Sequence, residues 1–295
     1  MTIREATEFD IPSIVELLKL SLGESLMPKS TAFWRWKHIE NPFGKSPVLL
    51  ACDGDNVVGV RAFMLWEWRH QNQIIRSARA VDTAIHPDYQ GKGIFIKLTQ
   101  ALLNQCRDFK IEFIFNTPNE KSLPGYLKLG WQKIGRLSIN SHVRVSLVSG
   151  RKAKPGLKND FQLDRVLFRN SQTISTNESS QFLQWRYLKN PNIPYEYHQD
   201  DCGWYIYRTK KSGYMKEMRV VEFFDNQKKS GELIKRLKQD AQAHNVQIIT
   251  WAGFKIPLRS VSLPVGPVIT IKNMQSIQHI DLANWNPTLG DMEVF

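Results

Sequence analysis

The run Ile85-His86-Pro87-Asp88-Tyr89-Gln90-Gly91-Lys92-Gly93 is the part of the sequence best suited to chemistry. A strand that passes through a glycine-containing loop into a helix leaves backbone N–H groups unpaired at the positive end of the helix dipole, an arrangement that suits a pyrophosphate. Gly91 and Gly93 let the backbone approach an anion closely, and Lys92 adds positive charge. Taken alone, such a loop also begins many ordinary helices. On the same strand, Asp82 is either a base able to deprotonate an ammonium, directly or through water, or a structural carboxylate. His86 has the acidity of a base, but a histidine at a strand end before proline is more often structural.

A second stretch strengthens the first. Gln90 and Gly93 fit the Q/R-x-x-G-x-G/A loop by which the GNAT superfamily of N-acyltransferases binds acetyl-CoA, and His86-Pro87-Asp88-Tyr89 is the kind of run that precedes it. Asn119-Glu120-Lys121-Ser122-Leu123-Pro124-Gly125-Tyr126-Leu127-Lys128-Leu129-Gly130-Trp131 resembles the later family pattern N-x-x-A/S-x-x-x-Y-x-x-x-G-F, with Trp131 in place of Phe. The resemblance covers residues 1 to about 140. It implies CoA contacts at Ile85, Gln90, Gly91, Lys92, Gly93, Ile94, Phe95, Asn119 and Ser122, with a bulged strand near Ile85 that pairs with pantetheine and polarises the acetyl carbonyl. It also implies that Tyr126 protonates the leaving thiolate, and that Asn119 bonds the pantetheine arm. Phe95 stands where the family commonly has Gly or Ala; its side chain either narrows the diphosphate site or points from the helix into the core.

The elements that must hold these residues are legible. Apolar residues at helical spacing over Ile11 to Leu18 predict a helix, with Asp10 as cap and Pro12 in the first turn. Val48 to Cys52 and Val57 to Phe63 predict an antiparallel pair joined by Asp53-Gly54-Asp55-Asn56. Ser77 to His86 reads as the strand before the glycine loop, Ile94 to about Asp108 as the helix after it, and Ile111 to Phe115 as a buried strand.

Beyond the polar, turn-rich residues 146–160 the same order returns. Strands at Tyr195 to Tyr197, Trp204 to Arg208 and Met218 to Phe224 precede a helix at Ser230 to His244 and a strand at Val246 to Trp251. Ser30, Phe33, Trp36, Asn41 and Pro42 recur 149 residues later as Ser179, Phe182, Trp185, Asn190 and Pro191. We expect an α/β protein with mixed sheets and two GNAT-like domains in tandem, 1–148 carrying the cofactor loop and 157–295 a degenerate copy. In that copy Phe224-Asp225-Asn226-Gln227-Lys228-Lys229-Ser230-Gly231 has an acid and no paired glycines, a poor diphosphate cradle. Trp34, Arg35, Trp66 and Trp68 are minor candidates for an acceptor site, although aromatic residues at such spacing usually pack a core.

Composition sets the outer limits. The 295 residues are enough for about two domains, and 42% hydrophobic content excludes a disordered chain. The net charge of +12 is scattered, as on a solvated surface serving a polyanionic CoA, rather than gathered into a nucleic-acid footprint. Three widely spaced cysteines suggest neither a disulfide framework nor a zinc site, no His/Cys/Asp/Glu cluster has metal-ligand spacing, and no apolar run is long enough for a membrane span. The expectation is a cytoplasmic N-acyltransferase moving an acetyl group from acetyl-CoA to a primary amine of a small molecule or peptide. A Fem-like aminoacyltransferase using aminoacyl-tRNA and a non-catalytic CoA-binding module are the alternatives.

Overall fold

The computed structural model describes residues 1–24, 27–144, 161–166, 168, 172–226, 229–275 and 280–292. The first half contains β1 (Thr2–Glu5), α1 (Ile11–Leu22), α2 (Thr31–His38), β2 (Val48–Asp53), β3 (Asn56–His70), β4 (Gln73–Ile85), α3 (Ile94–Asp108), β5 (Phe113–Asn116), α4 (Leu123–Lys128), β6 (Gln132–Arg136) and β7 (Ile139–Val143). The second contains β8 (Ser175–Thr176), α5 (Ser180–Leu183) running into a π turn (Gln184–Leu188), β9 (Glu196–Asp200), β10 (Gly203–Ser212), β11 (Met215–Asp225), α6 (Ser230–Ala243), β12 (Ile248–Trp251), β13 (Val261–Leu263), β14 (Val268–Asn273) and α7 (Leu289–Met292).

These strands form two mixed sheets. The first has the order β1-β2-β3-β4-β5-β14-β6, with β8 on β3, and the second β13-β7-β12-β11-β10-β9. The halves therefore exchange strands: β14 from the second half lies between β5 and β6, and β7 from the first lies between β12 and β13. The boundary expected between 148 and 157 lies outside the described residues, and the sheets do not divide at one point in the chain.

Each sheet carries the same device at its centre. In the first, β4 and β5 pair in parallel only from Ser77–Phe113 to Arg79–Phe115, after which β4 continues against β3 alone. In the second, β11 and β12 pair in parallel only from Glu217–Ile248 to Arg219–Thr250. Pairing that stops part-way leaves backbone groups of the longer strand without a ladder partner and opens a wedge between the strands.

The recurring sequence motif folds the same way twice. The Ser30 hydroxyl accepts from the Phe33 N–H at 3.1 Å, and that of Ser179 from the Phe182 N–H at 3.1 Å, so both serines cap a helix start. Both helices end on a wide turn, Glu40 N–H to Arg35 carbonyl at 3.0 Å and Lys189 N–H to Gln184 carbonyl at 2.8 Å. Asn41 and Asn190 then each take a backbone N–H two residues on, at 3.0 Å. Asp10, by contrast, does not cap α1 with its side chain. Its carboxylate is held by Arg4 at 2.6 Å and by the Thr7 N–H at 2.7 Å, an arrangement that anchors β1 to the helix start.

The helices α3 and α6 each cover the outer face of one sheet, with Leu98 and Leu102 on one and Leu233 and Leu237 on the other fully buried. On the inner faces a single apolar cluster spans both halves, from Ile14 and Trp36 through Trp66, Trp68 and Phe115 to Phe182, Trp185 and Trp285. Trp34, Trp66 and Trp68 all lie within it, so the aromatic stretches build the core instead of an acceptor site. Arg35 is exposed and paired with Glu8 at 2.7 Å.

Candidate active site

The loop between β4 and α3 is set by its own side chains. Tyr89 donates its hydroxyl to Asp53 at 2.6 Å, Gln90 donates its amide to the Ile85 carbonyl at 3.2 Å, and the Asp88 N–H reaches His86 Nδ1 at 3.3 Å. Gly91 and Gly93 lie at φ +74° and +73°, where an L side chain is strained, and an added Cβ at either would meet nothing within 4 Å. The space around them is open. By helix geometry the N–H groups of Ile94, Phe95 and Ile96 have no acceptor within α3, so they and the dipole of this 15-residue helix face that space. The Lys92 ammonium lies 4.5 Å from the Tyr89 ring centroid, beside the same loop. These features fit a diphosphate.

Phe95 does not enter the cradle. Its ring meets that of Tyr126 edge-on with centroids 5.7 Å apart, and a Cβ on Gly125 would lie 3.2 Å from it. The bulky residue at a position usually small is thus accommodated by α4, and the glycine at position 125 makes room for it.

Tyr126 is 5% exposed, wedged between Phe95 and Trp131, with ring centroids 5.2 Å apart in the second contact. Its hydroxyl oxygen accepts a hydrogen bond from Arg61 Nη1 at 2.9 Å, and the same nitrogen donates to Thr83 Oγ1. Arg61, on β3, is 0% exposed, with the guanidinium carbon 4.8 Å from the Phe63 ring centroid, 5.2 Å from that of Tyr126 and 5.4 Å from that of Phe95. Nε and Nη2 have no hydrogen-bond partner. Its signal in the sequence is an arginine set inside the apolar run Val57-Val58-Gly59-Val60-Arg61-Ala62-Phe63, both of whose faces are covered.

Asp82 occupies the bulge of β4. Arg61 pairs with Thr83 and Ala62 with Val81, leaving Asp82 as the extra residue at φ +42°. The bulge expected near Ile85 therefore lies three residues upstream, and Ile85 pairs in regular register with Gly59. The Ile85 carbonyl already accepts from Ser21 Oγ at 3.1 Å as well as from Gln90. The Asp82 carboxylate turns to α2, where Lys37 Nζ lies at 2.7 Å and His38 Nε2 at 2.8 Å, with Ser46 Oγ on His38 Nδ1 at 2.9 Å. Burial alone would raise its pKa, but Lys37 and His38 hold it well below the usual carboxylate range. A carboxylate so neutralised is a weak base, and the geometry gives Asp82 a structural ion pair. Burial also lowers the His38 pKa, against the pull of Asp82, and keeps the ring neutral.

Asn119 closes the start of α4. Its Oδ1 accepts the Ser122 N–H at 2.9 Å, and its carbonyl accepts from Leu123 N–H at 2.9 Å. The side-chain oxygen is thereby committed to a turn.

A family model, described as an acetyltransferase (GNAT) domain, matches residues 2–134. Residues 2–134 are thus similar to a GNAT domain. The match contains the cradle, Arg61, Asp82 and Tyr126. No curated protein matches the sequence. Among solved structures, a probable N-acyltransferase of unknown function from Enterococcus faecalis V583 superposes with a TM-score of 0.64 at 10% identity, over 92% of this chain and 72% of that one. A GCN5-related N-acetyltransferase from Anabaena variabilis ATCC 29413 gives 0.59 at 14% identity, over 93% and 73%. Eis1 from Mycobacterium abscessus gives 0.60 at 12%, over 93% and 74%. These likenesses show that the chain, both sheets included, shares its fold with these neighbours.

The wedge of the first sheet is closed at its narrow end by a residue from neither motif. Arg79, 3% exposed at the last β4–β5 pair, donates Nη1 to the Asp291 carbonyl at 2.5 Å and Nη2 to the Met292 carbonyl at 3.0 Å. It also reaches Thr117 Oγ1 at 3.3 Å. The Asp291 side chain is fixed in turn by Thr176 Oγ1 at 2.6 Å and the Thr288 N–H at 2.7 Å. The final helical turn of the second unit is thus docked on the vertex of the first unit's wedge.

Proposed function

We propose that the GNAT domain transfers an acetyl group from acetyl-CoA to a primary amine of a small molecule or peptide, by direct attack in a ternary complex. The observation that carries this reading is the open cradle at Gly91–Gly93 on the N-terminus of α3, with the buried Tyr126 phenol ring packed against Phe95 in the first turn of that helix. Acetyl-CoA would supply an activated thioester. The N–H groups from Gly91 to Ile96, with Lys92, would hold its diphosphate, and the unpaired edge of β4 between Ala80 and Ile85 would hold the pantetheine arm along the wedge. Tyr126 would give its proton to the departing sulfur. With Asp82 committed to Lys37, water takes the proton from the attacking amine.

The second unit, beyond the 148–157 boundary, lacks the glycine loop and supplies the Arg79-bound turn at the wedge; its role in this reading is to shape the acceptor side. No helix among the described residues is long and apolar enough to cross a membrane. Cys52, Cys106 and Cys202 are free and buried, and burial pushes the Cys106 thiol up to about 12. Buried unpaired thiols fit a reducing cytoplasm.

The test is a thiol-release assay with acetyl-CoA and a panel of primary amines, including amino sugars, polyamines and peptides. Amine-dependent release is expected, falling about 100-fold or more in Tyr126→Phe. Release that no amine stimulates, or that Tyr126→Phe leaves unchanged, would contradict the reading.

A further inference from the structure

The buried guanidinium beside Tyr126 is the feature that the proposed reaction has not used. An arginine side chain carries five N–H donors and no acceptor. In the Arg61–Tyr126 bond the phenol oxygen must therefore accept, and the phenol's own hydrogen is left free to be donated elsewhere. A tyrosine held by a carboxylate or carbonyl would have its proton engaged; this one has its oxygen engaged instead.

The surroundings of Arg61 argue against packing as its purpose. It is fully buried among Phe63, Phe95 and Tyr126, two of its nitrogens lack partners, and among the described residues no carboxylate pairs with it. A buried cation left partly unsatisfied costs stability, and an apolar side chain of similar volume would fill the same space. What the cation adds is a fixed positive charge and a donor at the one oxygen that becomes negative if Tyr126 loses its proton. Thr83 Oγ1 accepts from the same Nη1 and sets the direction of the guanidinium from the neighbouring strand.

We propose that Arg61 is a positioning residue that orients the Tyr126 phenol as a proton donor and stabilises the phenolate formed when that proton is given up. The inference rests on the acetyl-transfer reading. In the step concerned, the amine nitrogen forms the bond to the acetyl carbon and loses a proton to water. The carbon–sulfur bond breaks with its electron pair on sulfur, and Tyr126 passes its proton to that sulfur. The phenolate remains against Arg61 until solvent reprotonates it.

The experiment has two arms. In the protein without ligand, the 13Cζ resonance of Tyr126, assigned by its loss in Tyr126→Phe, is compared between the wild type, Arg61→Lys and Arg61→Met. A displacement in Arg61→Met and a smaller one in Arg61→Lys is expected. Steady-state kinetics then separate kcat from KM. In Arg61→Met a loss of about tenfold or more in kcat is expected with the KM for acetyl-CoA within about threefold, Arg61→Lys recovering part of it. In a Tyr126→Phe background, Arg61→Met should cost less than about twofold more, because residues acting as a unit are not additive. Thr83→Val, which removes the second anchor of Nη1, provides a milder variant, expected to displace the resonance and lower kcat in the same direction. An unmoved Tyr126 resonance in both Arg61→Met and Thr83→Val, or a full additional tenfold loss in the Tyr126→Phe background, would overturn the proposal. Absence of any amine-dependent transfer in the wild type would instead overturn the acetyl-transfer reading, while the resonance still decides the coupling of Arg61 to Tyr126.

Discussion

The indole N–H of Trp36 donates to the backbone carbonyl of Trp185 at 2.7 Å, and the indole N–H of Trp185 donates to the carbonyl of Trp36 at 2.7 Å. The two rings stack with centroids 5.0 Å apart and 18° between their planes. The residues are 149 apart in sequence, so the repeat offset appears in space as a reciprocal contact about a local two-fold relation. Their partners differ in chemistry while keeping their places. Lys37 and His38 meet Asp82, and at the same offset Arg186 donates to the Gly290 carbonyl at 2.6 Å while Tyr187 donates to Glu222 at 2.6 Å.

This contact predicts coupled stability. Trp36→Phe or Trp185→Phe leaves one buried carbonyl without its donor, at a cost of about 1–3 kcal/mol each. Because the bonds share one stacked pair, the double variant should lose less than the sum. Urea unfolding of the full chain measures the singles and the double; strict additivity would show that the two bonds are independent.

The Lys37–Asp82–His38 cluster predicts acid lability in two stages. The His38 pKa is lowered by burial, so the folded chain binds fewer protons than the unfolded one, and stability declines as pH falls from about 6.5 toward the folded value. The Asp82 pKa is depressed, so its contribution is complete above about 4 and is lost as pH falls further. In His38→Gln the first decline should shrink while the second remains. Lys37→Met, which leaves the carboxylate buried without its cation, should cost about 3–5 kcal/mol at neutral pH. Chemical unfolding at a series of pH values checks both.

The Arg79 clamp predicts that the second unit depends on the first for its final turn. Arg79→Met removes the charged donor of two buried carbonyls, those of Asp291 and Met292, and should cost about 3 kcal/mol. Limited proteolysis should then cut near α7 at protease levels that leave the wild type whole. Equal resistance would mean that Thr176 and Thr288 suffice to hold the turn.

Much of this was readable from local pattern. The glycine loop, the helix after it and the flanking strands are short-range features, set by periodicity and turn residues, and they lie where the spacing predicts. The repeated Ser, Asn and Trp positions were visible too, since each keeps one local role in both copies. Partners chosen across the chain were not. Val268–Asn273 and Ile139–Val143 have strand-like residues, but nothing in either names the sheet it joins, and each joins the other half's sheet. Asp82 was legible as a carboxylate near the loop, whereas the lysine and histidine that neutralise it lie 44 or more positions away on α2. Arg61 and Tyr126 are 65 residues apart, and only the packing of α4 against β3 brings them together.

The central claim is that the loop at Gly91–Gly93 is a cradle for the diphosphate of acetyl-CoA, and titration calorimetry with acetyl-CoA tests it most directly. The intact wild-type chain is expected to bind one equivalent, and Gly93→Glu, which puts a carboxylate into open space at a backbone angle strained for any side chain, is expected to bind none while keeping the wild-type circular dichroism spectrum. No heat of binding with the wild type, or an unchanged affinity in Gly93→Glu, would contradict the account.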